Sequence, residues 1–262
     1  MKSKLKTGSI MPLFCSWQQV SESFRDQWEF LKKNGLSSDP QSKTIWQTRF
    51  KDVQLISVPD SSGNSSQIVL KNYREKRFFR YFFRPSLAAR EAAGFETVKS
   101  LGIPTVEVLA FGEKRFFGCL FYAFFITAYA ENTETLQFFI NAQADREALL
   151  KLLKENIQYL AKLHAAGFIH GGAHSRNILW RKSEDGSLNS IWIDLATCRK
   201  VRHGKKYWKY ILTDLSDMTE AFQLTQQELD MLMAAYRQLH PIPVCYKVRD
   251  DHERKFSQAV KL

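Results

Sequence analysis

The chain has 262 residues, 44% of them hydrophobic and 25% charged, with a formal net charge of +11. That length supports one large domain or two small lobes with real cores, and that composition excludes general disorder. The positive excess points to polyanionic partners such as nucleic acid, acidic lipid or phosphorylated glycan, unless the basic residues are only a solvated surface.

The N-terminal "MKSKLKTGSIMPLFCSW" is basic and then briefly apolar, and Pro12 breaks it, so it makes a poor signal peptide. Residues 20–34 carry a loose helical pattern that stops at Gly35. "SSDPQSK" then reads as a loop. "TIWQTRFKDVQLISV" (44–58) reads as a strand, "PDSSGNSS" as a turn and "QIVLKNY" (67–73) as a second strand, which together make an antiparallel hairpin. "SLAAREAAGFETVKSLG" is a helix closed by Gly102. "IPTVEVLAFG" and "FFGCLFYAFFITAYA" follow as strands, with "EKR" at the turn between them. The second falls short of the roughly 20 residues that a membrane-spanning helix needs.

Near residue 131 the pattern changes. "DREALLKLLKENIQYLAKLHAAG" has apolar residues at 149, 153, 157, 160 and 163, the period of a helix. A loop, the turn "SEDGS" and the short strand "IWID" (191–194) come next, and two helices follow. A β-rich lobe followed by an α-rich lobe is an α+β chain. The expected divisions are an N-terminal extension over 1–39, a β-rich lobe over 40–130 and an α-rich lobe over 131–262. The four cysteines, Cys15, Cys119, Cys198 and Cys245, form no C-x-x-C pair and suggest neither zinc nor disulfides.

Four residues carry possible chemistry. Lys71 lies in an apolar strand, where a buried ammonium needs a partner, although an edge strand would point it to water. Glu91, in the next helix, is a carboxylate able to hold it. Asn177 offers an amide oxygen suited to Mg²⁺, or is a turn residue. Asp194 ends the strand "IWID" and can hold a metal against phosphates, or cap the next turn. In this order they match a kinase nucleotide site: lysine on the α/β-phosphates, glutamate orienting the lysine, Asn and Asp on the metal.

With these residues in "IVLKNYR", "AAREAAGFETVKSLGIPTVEVLAFGEKR", "ITAYAENTETLQ", "LAKLHAAGFIHGGAHSRNILW" and "IWIDLATCRK", and with "KYILTDLSDM" after them, the chain resembles the lipopolysaccharide core kinases, over about residues 40–240. The resemblance implies a bilobal protein-kinase-like fold and ATP-dependent phosphorylation of a heptose or Kdo hydroxyl. It also implies ATP contacts by Lys71 and Glu91, Mg²⁺ on Asn177 and Asp194, and Asp214 bracing the catalytic loop. It places the chain in the cytoplasm, at the inner face of the bacterial inner membrane.

Two departures bear on catalysis. The position of the family's acidic base, two after His170, holds Gly172. The loop read as joining the first two strands, "LSSDPQSKT", has no glycine to bring backbone N–H groups to phosphates. His174 is the candidate replacement base; His170 reads as a packed, hydrogen-bonded histidine. The alternative is a pseudokinase that binds nucleotide or glycolipid without efficient transfer. Finally, "KNYREKRFFRYFFRPSLAAR" (71–90), with Arg77, Arg80 and Arg84, mixes cations with aromatics. It reads as a core edge, or as a docking surface for an anionic glycolipid or membrane. Nucleic acid ranks last, because no nucleic-acid-binding motif accompanies it.

Overall fold

A computed structural model describes residues 14–34, 42–59, 65–74, 79–141 and 145–240. The expectations for the N-terminal "MKSKLKTGSIMPL", for the loop residues 36–41, and for Arg77 and Cys245 fall outside them. The strands are β1 (Phe14–Val20), β2 (Lys43–Gln47), β3 (Lys51–Pro59), β4 (Ser65–Arg74), β5 (Val108–Phe116), β6 (Cys119–Ala128), β7 (Glu134–Thr135), β8 (Phe168–Ile169), β9 (Ile178–Lys182), β10 (Leu188–Trp192) and β11 (Arg199–Lys200). The helices are α1 (Arg25–Asn34), α2 (Leu87–Ser100), α3 (Leu136–Asn141), α4 (Arg146–Ala165), α5 (Lys205–Thr219) and α6 (Gln226–Leu239). No helix among the described residues is long and apolar enough to cross a membrane.

The chain forms two compact units. The first comprises the residues up to Ala89 with Glu107–Tyr129, and the second Arg90–Val106 with the residues from Ala130 on. The first unit is a six-stranded antiparallel sheet ordered β1-β5-β6-β4-β3-β2. One face of it, with Ile56, Ile68, Leu70 and Ile126, packs with Phe24, Trp28 and Leu31 of the N-terminal helical segment. Trp28 stacks on Phe124 with ring centroids 5.0 Å apart.

The single strand expected over 44–58 is two strands. Thr48 breaks it: its Oγ1 accepts the N–H groups of Phe50 and Lys51 at 3.3 and 3.1 Å, while its own N–H bonds Lys51 O at 2.7 Å. The turn expected at "EKR" lies instead at Phe117–Gly118, where both residues have positive φ (45° and 77°), the backbone of a tight two-residue hairpin. Residues 14–17, read as a failed signal segment, pair with β5 as part of β1.

The second unit is mostly helical. Helix α4 starts at Asp145, whose side chain accepts the Glu147 N–H, and buries Leu149, Leu153, Ile157 and Leu160 along the face that the period predicts. Helix α6 starts in a capping box between Thr225 and Glu228. Helix α2 begins in the first unit and continues from Arg90 in the second. A Cβ at Gly94 would lie 2.4 Å from Leu195 O, so only glycine lets α2 approach the segment after Asp194 this closely.

Candidate active site

Of the candidate residues of the second unit, His170, Gly172, His174 and Asn177 lie on the loop after α4. Asp214, from α5, is fully buried. Its Oδ2 accepts the His170 N–H at 2.7 Å and its Oδ1 accepts the Gly171 N–H at 2.8 Å. His164 Nε2 lies 3.2 Å from Oδ2, and His164 Nδ1 lies 2.7 Å from the Tyr236 hydroxyl. Tyr207 donates its hydroxyl to His164 O. Burial pushes the Asp214 carboxyl up, but the hydrogen bond and charge of His164 and the loop N–H of His170 outweigh it, so the group sits below the ordinary carboxylate value.

The loop is tied at three further points. Thr197 Oγ1 donates to His170 O at 3.0 Å, Asn177 Nδ2 donates to Gly172 O at 2.9 Å, and the Asn177 N–H reaches His174 O at 2.8 Å. With its amide nitrogen engaged on Gly172, Asn177 has Oδ1 left as an oxygen ligand. Asn177 O also accepts the Ile193 N–H at 3.0 Å, which brings Asn177 beside Asp194. Asp194 stands two residues beyond β10 at φ 58°, a left-handed conformation that aspartate tolerates better than most residues.

His170 is packed as expected, its ring 5.1 Å from the Trp192 centroid. Its ring Nδ1 has no hydrogen-bond partner among the described residues. The loop is fixed through the backbone of His170 instead. Burial lowers its pKa, against the opposing charges of Asp214 and Asp194.

Gly172 is free of the constraint that applies to its neighbour. Gly171 has φ 73°, and its Cβ would lie 3.1 Å from Thr197 O. Gly172 is outside the left-handed region, and its Cβ would meet only Thr197 Oγ1, at an ordinary 3.7 Å. Neither backbone nor packing demands glycine at 172.

His174 faces the segment from α5 onward. Nε2 is 3.8 Å from Asp217 Oδ2, and Nδ1 is 3.9 Å from Glu220 Oε1. Burial raises the Asp217 carboxyl, with help from the charges of Asp214 and Glu220 and against the pull of His174. Ligand atoms of the three groups lie within 4.8 Å of one another, close enough to share a cation, a spacing that exposed acidic groups commonly take without one.

Glu91 is fully buried on α2 in the same unit, where an ionised carboxylate requires partners. Lys71 belongs to the first unit, half-buried on β4. That strand lies between β3 and β6, inside the sheet, which overturns the edge-strand reading of this lysine. Its register partners are Val53 and Phe125, and Nζ is 5.9 Å from the Phe125 ring centroid.

The turn joining β2 to β3 is Thr48–Phe50, not the segment around 36–44. It also has no glycine, and Thr48 Oγ1 takes up two of its N–H groups. It presents the exposed cation of Arg49, 5.6 Å from the Phe50 ring centroid. Sequence reasoning missed Thr197 and His164, and neither left a signal in the sequence.

A model of the lipopolysaccharide kinase (Kdo/WaaP) family matches residues 53–236. Among solved structures, one described as WaaP in complex with acyl carrier protein aligns at a TM-score of 0.65 and 16% identity, over 93% of this chain and 99% of that chain. At that identity the likeness shows the kinase-like fold alone. No curated protein matches the chain. With the family model spanning well over half of its length, the chain belongs to the lipopolysaccharide kinase (Kdo/WaaP) family.

Proposed function

We propose that this protein transfers the γ-phosphoryl group of ATP to a hydroxyl of a lipopolysaccharide core sugar, heptose or Kdo, at the cytoplasmic face of the inner membrane. The observation that carries this reading is the loop 170–177, held by Asp214 from below and by Asn177 from within. Phosphoryl transfer depends mainly on positioning and charge neutralisation, and a loop tied at this many points is fit for positioning.

Asn177 Oδ1 and the Asp194 carboxylate are the oxygen donors proposed for Mg²⁺, a hard cation that takes such ligands. The bound metal would neutralise phosphate charge. Lys71 is assigned to the α/β-phosphates and Glu91 to holding Lys71. His174 is assigned to accept the proton of the sugar hydroxyl; its side chain is 27% exposed, so a substrate can reach it.

Gly172 favours a second reading. Its position would accommodate an aspartate, yet it holds none, and that suits a pseudokinase that binds nucleotide or glycolipid and transfers slowly or not at all. Transfer of label from γ-labelled ATP to purified core oligosaccharide separates the two. Transfer that Asp194→Asn abolishes supports the enzyme; nucleotide binding without transfer to any core acceptor supports the pseudokinase.

A further inference from the structure

The first unit holds out a set of phenylalanines for which the proposed reaction has no use. The pentapeptide EKRFF occurs twice, at 75–79 and at 113–117. The described part of the first copy runs into the turn 79–84, and the second forms the tip of the β5–β6 hairpin. Arg115 fastens the two together. Its Nη1 donates to Tyr81 O and Gly118 O, both at 2.8 Å, and its Nη2 to Arg84 O at 2.7 Å. Glu113 balances its charge, with Nε to Oε1 at 2.6 Å. The Phe83 N–H reaches Gly118 O at 3.3 Å, and the Phe83 ring fills the space that a side chain at 118 would need, 2.9 Å from that Cβ position.

This fastening points rings outward. Phe79, Phe82, Phe83, Phe117 and Phe121 are 73%, 44%, 63%, 62% and 48% exposed. Phe83 and Phe117 hold φ values of 49° and 45°, which bulky residues adopt only when their surroundings impose them. Phe82 and Phe83 meet edge to face with centroids 4.4 Å apart. Beside the rings, Arg80, Arg84 and Lys114 are exposed, and neither 79–84 nor 114–121 contains an acidic residue.

Exposed apolar clusters of this kind mark interaction surfaces. The cations choose among the partners. A second copy of the chain would bring like charges together, whereas an anionic bilayer offers phosphates at the level of the arginines and acyl chains below them. We propose that this turn and hairpin tip insert into the interface of an anionic bilayer, phenylalanines beneath the headgroups and Arg80, Arg84 and Lys114 among the phosphates. The inference is independent of phosphotransfer.

The test is co-sedimentation of the full chain with vesicles of phosphatidylcholine alone or mixed with phosphatidylglycerol. The expected result is binding that favours the anionic vesicles. Joint replacement Phe82→Ser and Phe117→Ser should weaken binding to both by about tenfold or more. Arg80→Gln, Arg84→Gln and Lys114→Gln should weaken only the anionic binding, by about fivefold for each cation. A tryptophan introduced by Phe82→Trp should be quenched by lipids brominated on their acyl chains. This variant keeps a ring at the tip, so its result does not depend on the serine variants folding. The proposal is overturned if wild type ignores anionic vesicles, if the serine variant binds like wild type, or if bound Phe82→Trp escapes quenching. It is equally overturned if the phenylalanines prove to hold a dimer in solution that the serine variant dissolves.

Discussion

Asp214 accepts the backbone N–H groups of both His170 and Gly171, one on each carboxylate oxygen, at 2.7 and 2.8 Å. This contact joins α5 to the loop that carries Gly172, His174 and Asn177, and its carboxylate is completely buried. Asp214→Ala leaves two N–H groups and His164 without their acceptor. It should cost about 3–5 kcal/mol in urea unfolding, as loss of one partner from a buried charged network typically does. A cost within 1 kcal/mol of wild type (roughly the net worth of one ordinary hydrogen bond) would mean that the loop does not depend on this brace.

Gly171 and Gly172 should respond in opposite ways. Gly171→Ala puts a side chain at φ 73° and 3.1 Å from Thr197 O, and should destabilise by about 1 kcal/mol or more. Gly172→Ala meets nothing closer than 3.7 Å and should stay within about 0.5 kcal/mol. Gly172→Asp should therefore fold, and should raise transfer to the correct acceptor by up to about 10²–10⁴-fold if the missing base limits the rate. A lower rate in Gly172→Asp would point to a base already in place, with His174→Ala the variant to measure next.

Nucleotide should stabilise the protein by mass action, by about 2.7 kcal/mol at a hundred times its dissociation constant. Thermal melts with Mg²⁺–ATP should show the rise, and Lys71→Ala and Asp194→Ala should each remove it. Persistence of the full rise in Asp194→Ala would take the metal away from that carboxylate.

Acid should weaken the fold in two stages. Burial lowers the His240 pKa from its ordinary 6.5 to about 4, and burial lowers that of His170 in the same direction. Between those values the unfolded chain binds a proton at His240 that the folded protein refuses, so stability falls as pH drops from about 6.5 to about 4. Asp214 adds the second stage. Its folded pKa lies below the ordinary 3.8, so its contribution is present above that value and is lost as pH falls through the folded one. Melting temperature against pH should fall less steeply between pH 6.5 and 4 in His240→Phe; an unchanged slope would remove His240 from the account.

Much of the second unit is legible in the sequence because its signals are local. The apolar residues at 149, 153, 157 and 160 give α4 by their period, and the spacing of His170, Asn177 and Asp194 around a short strand gives the loop. What escapes the sequence depends on distant pairing. Arg115 reads as a turn cation, yet it binds carbonyls at 81 and 84, over thirty residues away. His164 reads as one more residue of a helix, and only α5 and α6 supply Asp214 and Tyr236. Residues 14–17 read as a failed leader because the partner that makes them a strand, β5, lies about a hundred residues on. Thr48 splits a strand with one hydroxyl, a choice that alternation cannot register.

The central claim is phosphotransfer to a core sugar, and the phosphate content of the core oligosaccharide tests it most directly. Mass spectrometry of core oligosaccharide from cells with and without the protein should show one phosphate fewer in its absence, restored by wild type and not by Asp194→Ala. An identical phosphate content in both cells, with ATP binding intact in the purified protein, would contradict the claim and leave the pseudokinase reading in its place.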